Sequence, residues 1–119
     1  MYRLLIVDDE QQIRELIKKY AVYEGHEIVE ASNGFEAIEM CQNRSFDLII
    51  MDIMMPKLDG IRATLKIREY SSIPIIILSA KSEDTDKILG LNIGADDYIT
   101  KPFNPLELAA RVKSNLRRY

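Results

Sequence analysis

The chain has 119 residues, enough for one domain with one sizeable core and too few for two. Hydrophobic residues make up 47% and charged residues 29%, an ordinary globular balance, and a formal net charge of −3 gives no field arguing for nucleic acid or a membrane surface. No apolar run approaches the roughly 20 residues of a membrane helix, and Met1-Tyr2-Arg3 leads into a strand-like run instead of a signal peptide. Leu4-Leu5-Ile6-Val7 is a short apolar run of strand formers. Ile13, Leu16, Ile17 and Tyr20 then recur at helical spacing until Gly25 stops the helix. Glu27 to Ala31 reads as a second strand, and Gly34 to Cys41 as a helix with Phe35, Ala37, Ile38 and Cys41 facing inward. Leu48 to Met51 is a third strand, followed by a loop holding Pro56 and Gly60. Ile61 to Tyr70 is helical, Pro74 to Leu78 a strand, Glu83 to Leu91 helical, Tyr98 to Thr100 a weak fifth strand, and Leu106 to Arg118 a final helix. No repeat, low-complexity segment or internal linker interrupts the series.

Five strand-then-helix units imply an α/β fold, a parallel sheet with helices on both faces. Leu4–Val7, Leu48–Met51 and Ile75–Leu78 are apolar throughout, as strands covered on both faces must be. Right-handed crossovers leave every strand's carboxyl end on one edge, where such sheets bind ligands. Asp8-Asp9-Glu10 follows the first strand, Asp52 the third, Ser79-Ala80 the fourth and Lys101-Pro102 the fifth. The carboxylates of Asp8, Asp9 and Asp52, a hydroxyl and an amine therefore converge. Carboxylates a few ångströms apart repel unless a cation intervenes, and Mg²⁺ suits oxygen ligands while keeping waters that phosphate can replace. A lysine and a hydroxyl beside such a site suit phosphoryl transfer, and a carboxylate is an accepted covalent nucleophile. Each residue alone has a plainer reading. Asp8-Asp9 could cap the first helix, Asp52 could be a loop carboxylate, Ser79 a cap hydroxyl and Lys101 a solvated cation. Their arrival at the ends of different strands favours the functional reading.

These residues resemble a known family, the receiver domains of two-component response regulators, across essentially the whole chain. The resemblance is carried by Leu5-Ile6-Val7-Asp8-Asp9-Glu10, Asp52-Ile53-Met54-Met55-Pro56-Lys57-Leu58-Asp59-Gly60, Pro74 to Ala80, and Gly94 to Phe103. It implies a flavodoxin-like (CheY-like) five-stranded parallel sheet of order 2-1-3-4-5 with five helices. It also implies that Asp52 receives a phosphoryl group from a sensor histidine kinase. Asp9 and Asp52 would bind Mg²⁺ directly with the Met54 backbone carbonyl, and Asp8 mainly through a metal-bound water. Ser79 would hydrogen-bond the phosphate, Lys101 would pair with it, and Tyr98 would swing inward as Ser79 moves. Lys101-Pro102 would be cis. Met54 and Lys81 would border the hydrolytic water and influence the phosphoryl lifetime. The domain would be a signalling switch that assists its own phosphorylation and dephosphorylation, not an enzyme of metabolism.

Lys87, Gly90-Leu91, Gly94 to Tyr98, Arg111 and Arg118 further resemble the OmpR/PhoB class of transcription factors. That likeness implies a C-terminal winged-helix DNA-binding domain beyond residue 119, and a dimer on phosphorylation through the fourth helix, fifth strand and fifth helix. Across it Lys87 would meet Glu107, Asp97 would meet Arg111 and Asp96 would meet Arg118, with Ile88 and Leu91 adding apolar contact. Glu107, Arg111 and Arg118 do share one stripe of the last helix, which a solvated face would also explain. Asn92 departs from the pattern, since Lys113 would want an acid near there. The remaining features are bland. Cys41, the single cysteine, can make no internal disulfide and fits a reducing cytoplasm, and His26 sits in a turn away from the polar edge. Basic residues at 111, 113, 117 and 118 are too mixed with apolar ones to claim DNA contact within this domain. A phosphatase of the haloacid dehalogenase type also uses a strand-end Asp and Mg²⁺, but wants a carboxylate two residues on, where Met54 stands, and a cap domain. A stand-alone receiver acting by protein binding stays open. Neither a GxxxxGK[ST] nor a GxGxxG loop is present.

Overall fold

The computed structural model describes residues 1–80 and 94–117. In chain order these form β1 (Arg3–Val7), α1 (Gln11–Tyr23), β2 (Glu27–Ala31), α2 (Gly34–Asn43), β3 (Leu48–Asp52), α3 (Gly60–Arg68), β4 (Ile75–Ala80), β5 (Asp97–Lys101) and α4 (Pro105–Arg117). The strands make one parallel sheet of order β2-β1-β3-β4-β5, the expected flavodoxin-like arrangement. Four helices stand among the described residues against five expected; the helix read at Glu83–Leu91 lies outside them, as do Lys81, Lys87, Ile88, Leu91 and Arg118. No helix among the described residues is long and apolar enough to cross a membrane.

Strand alternation sorts the core into two layers. Leu4, Ile6, Leu48, Ile50, Ile76, Leu78 and Ile99 point to the side covered by Ile17 and Ala21 of α1 and by Leu108, Val112 and Leu116 of α4. Leu5, Val7, Ile49, Met51, Ile75 and Ile77 point to the other side, under Ala37 of α2 and Ala63 and Ile67 of α3. The central strands carry no polar residue until their carboxyl ends because both faces are sealed. Phe35 was expected inward and is instead 57% exposed. The buried stripe of α2 runs through Gly34 and Ala37, and Phe35 sits about 100° round the helix from Gly34.

Two helix starts are closely fitted. Asn33 caps α2, its Oδ1 accepting from the Glu36 N–H at 3.0 Å, while the Glu36 carboxylate accepts from the Ser32 N–H at 2.9 Å, a reciprocal cap. The Ser32 N–H holds the Glu36 carboxyl below its usual range. Asp59 caps α3 through the Arg62 N–H at 2.9 Å. The next residue, Gly60, lies against the end of β3, and a Cβ there would sit 2.0 Å from the Asp52 carbonyl oxygen. Only glycine permits α3 to start so close to that backbone. Gly60→Ala is therefore expected to destabilise the domain by about 1–3 kcal/mol, read as a lower urea midpoint, because backbone must move to admit the methyl. An unchanged midpoint would contradict the tight contact.

Candidate functional site

The strand ends place the polar residues together. Asp52 closes β3, Ser79 is the penultimate residue of β4, and Lys101 closes β5, so these three belong to strands and not to the loops after them. Asp8 follows β1, and its N–H extends the sheet by donating to the Ala31 carbonyl at 3.1 Å. Asp8, Asp52 and Ser79 are buried, while Asp9 and Glu10 face solvent. The capping reading of Asp8-Asp9 fails here. Glu10 holds the N-cap position of α1, and no side chain caps that helix.

Lys101 is the hub. Its Nζ lies 2.9 Å from Asp8 Oδ2, 3.2 Å from Asp52 Oδ1 and 3.9 Å from Glu10 Oε1. The other Asp8 oxygen accepts the Glu10 N–H at 2.9 Å. Burial pushes the Asp52 carboxyl up to about 6; the Asp8 charge adds to this and the Lys101 ammonium opposes it. Burial alone would lower the lysine's pKa, but the hydrogen bond to Asp8 and the Asp52 charge outweigh it and raise the value. The Lys101–Pro102 peptide is cis, as the resemblance implied.

Asp8, Asp9 and Glu10 each offer an oxygen within 4.8 Å of the others. Glu10 was not singled out as a ligand from sequence, although its place directly after Asp9 was a usable signal. All donors here are oxygens, and burial together with the Asp8 charge raises Asp52; that chemistry fits a small hard cation. Met54 is 68% exposed, so its side chain points away, and its carbonyl takes no hydrogen bond within the described residues. Tyr98 on β5 is half-buried against the second core layer.

The proposed dimer residues are partly engaged within the chain. Arg111 Nη1 donates to Asp97 Oδ1 at 2.7 Å, and Asn115 Nδ2 donates to Asp97 Oδ2 at 3.2 Å. Asp96 accepts from Arg68 Nη2 at 2.9 Å and from the Ile75 N–H at 2.9 Å. Arg68 and Asn115 were not identified from sequence. Glu107 sits in the first turn of α4. His26 stacks obliquely on Tyr2, 5.7 Å between ring centroids, with its Nδ1 buried and unpartnered among the described residues, and burial lowers its pKa. Burial pushes the Cys41 thiol up to about 11, which leaves it protonated and unreactive. A cavity of about 290 Å³ between α1 and α4 is lined by Leu16, Tyr20, Leu108 and Val112, and none of Asp8, Asp9, Glu10, Asp52, Ser79 and Lys101 lines it.

Residues 4–113 match the response regulator receiver domain family. The transcriptional regulatory protein SrrA of Staphylococcus aureus is 50% identical over 115 residues, which are 97% of this chain and 48% of that protein. The chain thus spans about half the length of the curated relatives it matches. The receiver domain of the Francisella response regulator 1452 superposes with a TM-score of 0.93 at 38% identity, covering 99% of this chain and 98% of that one. A two-component response regulator from Clostridium difficile gives 0.94 at 34% identity, covering 99% and 98%.

The raised Asp52 carboxyl has a sign that can be tested. Its folded pKa of about 6 exceeds the ordinary 3.8, so the folded state holds a proton that the unfolded state has lost. Stability in metal-free buffer is then expected to fall as pH rises from about 4 through 6. Asp52→Asn removes the charge and is expected to be more stable than the parent at pH 7, with the gain shrinking toward pH 4. Urea melts across that range check this; a pH-independent difference would contradict the assignment.

Proposed function

The chain belongs to the receiver domains of two-component response regulators, and from that premise we propose that it accepts a phosphoryl group on Asp52 from a sensor histidine kinase. An Asp52 carboxylate oxygen would form the new P–O bond while the P–N bond of a phosphohistidine breaks and the imidazole nitrogen leaves. The observation that carries this reading is a buried carboxylate at the end of β3 with the Lys101 ammonium 3.2 Å away. That ammonium would pair with incoming phosphoryl oxygens, and the hydroxyl of Ser79, on the neighbouring strand β4, would donate a hydrogen bond to them. Asp8, Asp9 and Asp52, with the Met54 carbonyl, would hold Mg²⁺. When bound, that ion neutralises the crowded carboxylates and the transferring group. Incubation with acetyl phosphate and Mg²⁺ is expected to add one phosphoryl group by intact mass, mapped to Asp52. Uptake by Asp52→Asn at the parent rate would sink the assignment.

The relative's transcriptional role extends the proposal. In a longer protein this domain would control an attached DNA-binding domain by pairing two copies through β5, α4 and the helix read at Glu83–Leu91. Ser79 moving toward the phosphate and Tyr98 turning inward would shift that surface toward its dimer-competent form. Asp97 and Arg111 already pair within one chain, so a two-fold interface of Lys87–Glu107, Asp97–Arg111 and Asp96–Arg118 bridges requires partner exchange, with Asp96 leaving Arg68. Exposed pairs contribute only ~0–1 kcal/mol each, so they would set register, while Ile88 and Leu91 supply apolar contact. Sedimentation with beryllofluoride and Mg²⁺ is expected to show association that Arg111→Glu weakens. A monomer at high concentration would instead favour a receiver that acts by binding another protein.

A further inference from the structure

Arg14, in the first turn of α1, points back toward the acidic edge. Its Nη1 donates to the Asp8 carbonyl at 2.6 Å, and its Nε donates to Glu30 Oε1 at 3.0 Å. Glu30 is anchored by β2, where it pairs in register with Ile6, and Lys18 Nζ approaches it at 3.7 Å. The arrangement is sheltered: side-chain exposure is 16% for Arg14 and 32% for Glu30, against 40% and 47% for Arg3 and Glu27, the pair that bridges β1 and β2. A guanidinium pairing with both a carboxylate and a carbonyl is geometrically specific in a way that a lysine is not.

The carbonyl it grips belongs to the peptide joining Asp8 to Asp9. The Asp8 carboxylate has its own restraints, the Glu10 N–H and Lys101. The Asp9 carboxylate makes no hydrogen bond or ion pair within the described residues, so its direction is set by the backbone on which it stands. That backbone is held from outside by Arg14. Groups that orient ligands in this way commonly change metal affinity by 10- to 100-fold when removed.

We propose that Arg14 is a positioning residue for the divalent-cation site, fixing the Asp8–Asp9 peptide against β2 through Glu30; the inference rests on Asp8, Asp9 and Asp52 being the cation-binding set. The alternative is that Arg14 simply ties α1 to the sheet. A tie of that kind changes folding stability and leaves cation affinity in the folded protein untouched.

Calorimetric titration with MgCl₂ at fixed pH, paired with urea melts, separates the two. Arg14→Met keeps the apolar stem but loses every donor, and is expected to weaken Mg²⁺ binding about tenfold. Arg14→Lys, with one nitrogen for two partners, is expected to fall between it and the parent. Arg3→Ala, which cuts the exposed β1–β2 pair, is expected to bind Mg²⁺ as the parent does. Parent-like affinity in folded Arg14→Met overturns the inference, as does an equal loss in Arg3→Ala; if Arg14→Met does not fold, parent-like affinity in Arg14→Lys overturns it. A parent protein that binds no Mg²⁺ removes the underlying reading of the site as well, which sets that failure apart from failure at Arg14.

Discussion

Two buried carboxylates at the ends of neighbouring strands share one ammonium, and the rest of the site is arranged around that fact. Asp8 and Asp52 leave solvent together, which is costly for like charges unless a cation meets both. Lys101 meets them at 2.9 and 3.2 Å, reaching across from the edge strand β5. The compensation is incomplete, since Asp52 still holds its proton to about pH 6. A site left with surplus negative charge, facing solvent through Asp9 and Glu10, is predisposed toward cations. Any that enters competes with Lys101 for the same oxygens.

Much of this was legible in the sequence, for identifiable reasons. Leu48 to Met51 and Ile75 to Leu78 read as central strands because burial on both faces leaves no polar residue to break the run. The polar residues that ended those runs were then on one edge by topology alone. The actual pairing of Lys101 with Asp8 was less accessible, since 93 residues separate them and only the folded sheet makes them neighbours. The contact of Arg14 with the Asp8 carbonyl was not legible either, since a bond to backbone leaves no mark in residue types. Phe35 misled because periodicity in a short helix gives a spacing without saying which apolar stripe faces the sheet.

Charge patterning on the last helix shows a different limit. Arg111 and Asp97 were legible as complementary, and they do meet, at 2.7 Å, but within one chain. Complementarity in sequence names partners without saying whether they belong to the same copy. Arg68 makes the same point: one guanidinium from the end of α3 binds Asp96 and the Gly94 carbonyl, fastening the approach to β5 from inside the molecule.

The two-sided core carries a consequence for how the sheet keeps its alignment. In a sheet with one wet face, a slip of one residue exposes every apolar side chain, and the pattern itself forbids it. Here β1, β3 and β4 are greasy on both sides, so sliding by one position merely exchanges one core layer for the other. What resists sliding is the first residue that cannot enter the sheet. Drawing Asp52 one step inward would bury its charge among Ile49, Ile77 and their neighbours, beyond the reach of Lys101. The acidic residues thus act as stops that index the strands, and the same carboxylates we propose for phosphoryl chemistry help to dictate which of two nearly equivalent alignments the chain folds into.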